Sequence, residues 1–210
     1  MRRILPFVTV LVLSVPAFAQ TVPSGFTVDS CGGSLTGGTA MAFTPDGRLL
    51  VSQQTGAVRI IKAGVVLATP FHTATVENPL GGERELLGIA VDPGFAGNGS
   101  VYVHHTAPTP SPHNGVRRLT ASPSSSDVSD GTETVIVDLE DLGSSSSHNG
   151  GGMAFGSDGK LHVGVGDNVN AANAQSITSR PACREPRSSS CWAPRARWIS
   201  RSAPTGRSTT

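Results

Sequence analysis

Aromatic residues are scarce in this chain, at 5% of its 210 positions, whereas 25 glycines and 15 prolines punctuate it. That balance argues against a helical protein and for a turn-rich β protein. Cysteine is scarce too. Cys31, Cys183 and Cys191 are an odd set of three without C-x-x-C metal spacing, and no chemistry attaches to them. Excess charge is missing: the formal net charge is +1, which gives no electrostatic case for nucleic acid or another polyanion. Beyond the N-terminus no apolar run is long enough to span a bilayer. The chain is nonetheless not disordered as a whole. Its 37% hydrophobic share, with glycine added, comes near the usual globular range.

The N-terminal apolar run is an export signal. Arg2 and Arg3 precede an apolar stretch over 4–15, and Ala17-Phe18-Ala19 is an A-x-A cleavage site. The mature chain is expected to begin at Gln20, in a periplasmic or secreted protein with no membrane span after cleavage. Asn98-Gly99-Ser100 is a formal glycosylation sequon, but in an exported bacterial-type chain it reads as a turn.

The stretch 144–168, SSSSHNGGGMAFGSDGKLHVGVGDN, organises the rest. A polar loop ends in His148-Asn149. A short strand, Met153-Ala154-Phe155, runs into the turn Ser157-Asp158-Gly159, and an alternating strand follows over 160–165. The hairpin sets His148 just before its first strand and Asp167 just after its second, so the two side chains can meet on one rim of the sheet.

Strand patterns recur along the chain. The first set covers 41–43, 48–52, 57–61 and 65–68; the second covers 86–91, 100–105, 115–119 and 134–137. Polar segments over 107–114 and 121–131 read as linkers. The first and third sets match letter by letter: Met41-Ala42-Phe43-Thr44-Pro45-Asp46-Gly47-Arg48-Leu49 against Met153-Ala154-Phe155-Gly156-Ser157-Asp158-Gly159-Lys160-Leu161. Repeated four-stranded antiparallel units predict an all-β propeller. A β-sandwich has similar strand spacing, but the self-similarity favours blades. About two and a half blades fit before the pattern ends. The tail over 179–210 is rich in Arg, Ser and Pro, with no alternation. A basic arm and a disordered tail are two readings of it. Out-of-frame translation suits the abrupt change best.

These motifs resemble a known family. Gly82-Glu83-Arg84-Glu85-Leu86-Leu87-Gly88-Ile89-Ala90 with Asp92-Pro93-Gly94-Phe95, His113-Asn114 with Val116 and Arg118, His148-Asn149-Gly150-Gly151, and Gly166-Asp167-Asn168 are similar to elements of the glucose/sorbosone dehydrogenases. The resemblance covers about 22–178. It implies a six-bladed propeller that holds pyrroloquinoline quinone (PQQ) and calcium and oxidises the C1 hydroxyl of an aldose, passing electrons to an external acceptor. It places His148 on the catalytic base, Asp167 on an active-site aspartate, and Glu83 where relatives carry a glutamine that contacts the quinone. The family's calcium-site residues lie beyond 178, so this chain is expected to be inactive alone.

The chemistry also stands without the resemblance. Taking hydride from a carbinol requires that its hydroxyl proton be removed, and a histidine can accept it near neutral pH. Each residue has a plainer reading as well. His148 could be solvated, Asp167 could cap a turn, and Glu83 could be a rim charge. His104, His105 and His113 read as surface histidines rather than as a zinc site. A non-catalytic propeller module that binds a carbohydrate or protein ligand is the alternative function.

Overall fold

A computed structural model describes residues 22–78, 81–170 and the backbone of 201–202. The expected signal over 1–19 and nearly all of the tail over 179–210 lie outside the described residues. The chain divides into two units, Met1–Ser30 and Cys31–Thr210. In the first, the described part turns once, with the Phe26 N–H donating to the Pro23 carbonyl at 3.1 Å. The second unit carries the sheets.

β1 (Gly38–Phe43), β2 (Leu49–Gln53) and β3 (Ala57–Lys62) form an antiparallel meander. Its fourth position is shared by two short pieces. β4 (Val65–Val66) pairs with one end of β3 and β5 (His72–Thr73) with the other. Between them the Leu67 and Phe71 amides still donate to Ile60 and Val58, so one broken outer strand replaces the continuous strand expected over 65–68. β6 (Leu86–Val91), β7 (Ser100–Ala107), β8 (His113–Ser122) and β9 (Ser125–Asp141) make a four-stranded sheet in that order. A four-residue helix, α1 (Phe95–Asn98), joins β6 to β7. There the Asn98 side chain accepts from the Ser100 amide at 2.9 Å, the turn expected at that sequon. β10 (Gly150–Phe155) and β11 (Lys160–Val165) pair antiparallel, and β12 (Arg201–Ser202) adds to β11.

Strand alternation builds the stack. On β7, Val101 and Val103 join a core with Leu50, Val58, Ile60 and Phe71 of the first sheet. Tyr102, between them in sequence, points to the other face and joins Val116, Leu161 and Val163. Its ring meets Phe155 of β10 edge-on at 5.5 Å. The middle sheet is therefore buried on both faces, and β1, β6 and β10 pack side by side as the leading strands of successive blades. A side chain at Gly88 of β6 would collide with the Gly151 carbonyl of β10, so these two strands touch backbone to backbone. This is an all-β propeller architecture of antiparallel blades.

The letter-by-letter repeat is also geometric. Gly47 N–H donates to the Thr44 carbonyl at 2.9 Å and Gly159 N–H to the Gly156 carbonyl at 3.0 Å. Thr44 then pairs with Arg48, and Gly156 with Lys160, each at 2.9 Å.

Two expectations need correction. The linker expected over 107–114 is a shorter loop over 108–112 between β7 and β8, but the one expected over 121–131 is largely ladder, because the β8–β9 hairpin turns at Pro123 and Ser124. β9 is the outer strand, and its first residues and the end of β8 carry exposed or half-buried side chains, so backbone pairing holds this hairpin without hydrophobic alternation. The histidines are not on the surface. His104, His105 and His113 are 0%, 3% and 5% exposed, because β7 and β8 are covered on both faces.

The β8–β9 hairpin reaches back across the first sheet. Arg48 Nη1 donates to the Ser126 carbonyl at 2.5 Å and to Asp127 at 2.7 Å. His72 bonds Ser129 Oγ at 2.8 Å and Glu133 at 2.9 Å. Ser129 N–H donates to the Phe71 carbonyl at 2.7 Å.

Candidate active site

The rim at the start of β10 and the end of β11 gathers the residues singled out in the sequence. The β10–β11 register pairs Gly150 with Val165. It continues outward as Gly166 N–H donates to the Asn149 carbonyl at 3.3 Å and Asn168 N–H to the His148 carbonyl at 3.2 Å. That continuation brings His148 Nδ1 to 2.9 Å from Asp167 Oδ1. The imidazole is 58% exposed and the carboxylate 26%. The hydrogen bond from His148 holds the Asp167 carboxyl below the usual carboxylate range, helped by the Val169 amide. Asp167 therefore stays ionised and accepts from Nδ1–H. The neutral ring then has an unprotonated Nε2, for which the described residues show no hydrogen-bond partner.

The backbone here is unusual. His148 has φ +63°, a left-handed conformation that costs a non-glycine residue about 1–2 kcal/mol. Close packing fixes it. A Cβ on Gly166 would overlap the His148 carbonyl, so Gly166 is required there by space. A register shift between Gly150 and Met153 marks a bulge just after the histidine, a device that re-aims side chains at sheet rims.

The loop over 143–149 is held by the segment that leads into β6. Arg84, 7% exposed, donates Nη2 to the Gly143 carbonyl and, at 2.7 Å, to the Ser145 carbonyl. Glu83 N–H donates to the Ser146 carbonyl at 3.3 Å. Glu83 Oε2 accepts the backbone N–H of His148 at 2.5 Å. The structure thus brings His148, Asp167 and Glu83 together.

Sequence reasoning gave no role to a buried polar relay beneath them. Thr106 Oγ1 donates to Asn114 Oδ1 at 2.6 Å, Asn114 Nδ2 to Asn149 Oδ1 at 3.1 Å, and Asn149 Nδ2 to the Ser146 carbonyl at 2.8 Å. Asn114 and Asn149 are 2% and 1% exposed. Both sit in His-Asn pairs, which was the available signal. Among the described residues no group of three or more His, Cys, Asp or Glu could hold a metal ion. No helix among them is long and apolar enough to cross a membrane. A groove of about 630 Å³ lined by Arg48, Phe95, Asn98 and Ala121 lies at the other end of β6, away from His148.

The family model for Glucose / Sorbosone dehydrogenase matches residues 35–181. The chain belongs to this family. A structure from Thermus thermophilus, assigned as an oxidoreductase (glucose dehydrogenase), is 30% identical with a TM-score of 0.58; the match covers 67% of this chain and 40% of that one. The PQQ-bound form of aldose sugar dehydrogenase from Streptomyces coelicolor is 25% identical, TM-score 0.60, over 70% of this chain and 43% of that one. The apo form of the soluble aldose sugar dehydrogenase from Escherichia coli, 23% identical with a TM-score of 0.53 over 63% of this chain and 38% of that one, shares the fold. The chain spans about two fifths of the length of the structures it matches.

Proposed function

We propose that this chain carries the proton-accepting side of a PQQ-dependent sugar dehydrogenase site, with His148 as general base and Asp167 as its orienting carboxylate. The observation that carries this reading is the bond from His148 Nδ1 to an ionised Asp167 on an exposed rim. It leaves Nε2 free to take the C1 hydroxyl proton of an aldose. As that proton arrives, the Asp167 carboxylate stabilises the imidazolium. The buried Asn114–Asn149 relay keeps the loop from shifting as the ring becomes charged.

Bound PQQ would supply the two-electron acceptor for the C1 hydride, which no side chain can take. The rim fits the base side of such a site, because the imidazole edge is open and the backbone beside it is Gly150-Gly151-Gly152, with little side-chain bulk. Glu83, at the expected quinone-contact position, lies within this rim. Arg84, being buried and turned onto loop carbonyls, does not present its charge to a tricarboxylate. The proposed substrate is an aldose, with an external electron acceptor, in a periplasmic or secreted setting. Because the chain spans about two fifths of the length of the structures it matches, turnover is best tested in a family-length propeller.

The test is a chimaera in which residues 35–170 replace the equivalent part of a full-length family member. With PQQ, calcium and a dye acceptor it should oxidise aldoses, and His148→Asn should lower the rate at least ~100-fold, the low end for a general base. A His148→Asn chimaera that turns over at the parent rate would sink the assignment. A chimaera that binds sugar without oxidising it would favour the non-catalytic module.

A further inference from the structure

We propose that Glu83 acts as a positioning residue that sets the backbone of the His148 base, rather than as a contact to cofactor or substrate. This rests on the reading of His148 as the base. Three attachments fix His148, and they come from two separate segments. Its ring Nδ1 is held by Asp167 at 2.9 Å, and its carbonyl accepts from Asn168 N–H at 3.2 Å; both partners follow β11. Its N–H is held by Glu83 Oε2 at 2.5 Å, from the segment leading into β6. Glu83 therefore ties the base itself to the neighbouring blade.

The tie has a physical task. At φ +63° the His148 backbone is in a minor conformation for a side-chain-bearing residue, and its amide lies in an exposed loop where water competes. A charged acceptor makes a shorter and stronger bond than a neutral one, and so biases the amide toward the strained geometry. The reverse bond, Glu83 N–H to the Ser146 carbonyl at 3.3 Å, makes the contact reciprocal, so the two loops align as a short unit. Arg84 next door fixes the same loop at Gly143 and Ser145. A glutamine at 83 could keep the amide bond through its side-chain oxygen but would lose the charge.

The experiment uses the full 210-residue chain and two NMR observables, the His148 backbone amide and its imidazole nitrogens. In the unsubstituted chain the His148 amide should resonate far downfield and exchange slowly. Glu83→Ala should speed amide exchange at least ~10-fold and remove the Nδ1–H tautomer signal, because the ring drifts off Asp167. Glu83→Gln, which keeps a side-chain oxygen acceptor, should restore both. The Gly159 amide, in the β10–β11 turn, reports that each variant is folded. Wild-type amide exchange and ring signals in a folded Glu83→Ala chain would overturn the proposal. So would a folded Glu83→Gln chain whose amide exchange and ring signals match those of Glu83→Ala. A wild-type ring protonated on Nε2, with the amide still tied to Glu83, would leave the tie standing and refute His148 as the base.

Discussion

Mild acid should loosen this fold well before its carboxylates protonate. His104 and His105 are adjacent on β7 and are 0% and 3% exposed. Burial pushes His104 from 6.5 down to about 4, with the neighbouring His105 adding to the effect. Burial also lowers His105 to about 4, and the Arg117 guanidinium pushes the same way. Glu133 opposes that shift, and His113 adds to it weakly. Both folded-state values lie below the unfolded value, so between them the unfolded chain binds more protons. Stability is then complete above pH 6.5 and declines as the pH falls toward 4. At pH 5 the loss is about 2 kcal/mol per histidine, or roughly 4 kcal/mol for the two, against the 5–15 kcal/mol typical of a domain. Two measurements check this: imidazole proton shifts between pH 7 and 4, and the urea midpoint at pH 7 and 5. His104→Leu should remove about half of the pH dependence. Either histidine titrating near 6.5 in the folded chain would refute the reasoning, as would a urea midpoint unchanged between pH 7 and 5.

Other expectations follow from the same contacts. Gly88→Ala drives a methyl group into the Gly151 carbonyl and should cost about 1–3 kcal/mol, whereas Gly152→Ala, with open space at its Cβ, should be nearly silent; urea titration compares them. Arg48→Met releases the β8–β9 hairpin, but Asp46 is 56% exposed and Asp127 keeps Lys62 at 2.7 Å, so the loss should be about 2 kcal/mol rather than the larger cost of stranding a buried charge. It should appear as roughly 30-fold faster exchange of the Ser129 amide, and unchanged exchange would count against the hairpin as a strap. The hydrogen bonds of Arg48 and then Thr44 hold the Asp46 carboxyl down at about 2, so its contribution is full above pH ~4 and is lost as the pH falls through 2. Met41 and Phe43, 70% and 69% exposed on β1, should drive self-association; replacing both with Lys should lower the sedimentation coefficient of concentrated samples.

What the sequence showed and what it hid divide along a physical line. The DG turns, the alternating strands and the His148–Asp167 approach were legible because each depends on residues close in sequence, or on a hairpin whose two ends must meet. The β8–β9 ladder was hidden because strand pairing is a backbone property. Residues such as Ser125, Ser126 and Thr132 pair as well as valines do when neither face needs to be apolar. The burial of His104 was hidden for a related reason. Alternation places it on a known face of β7 but does not say whether another sheet covers that face. Here Gly88 and Gly151 let the third sheet come close enough to do so. The loop over 143–149 is the furthest case. Its partners are carbonyls and amides, reached by Glu83 and Arg84 from about sixty positions away. Nothing in the identity of Gly143, Ser145 or Ser146 announces that it will be gripped. The motif around Glu83 was visible, but the atom it serves became visible only when two blades were set side by side. His148 is therefore aligned by the packing of neighbouring blades as well as by its own hairpin.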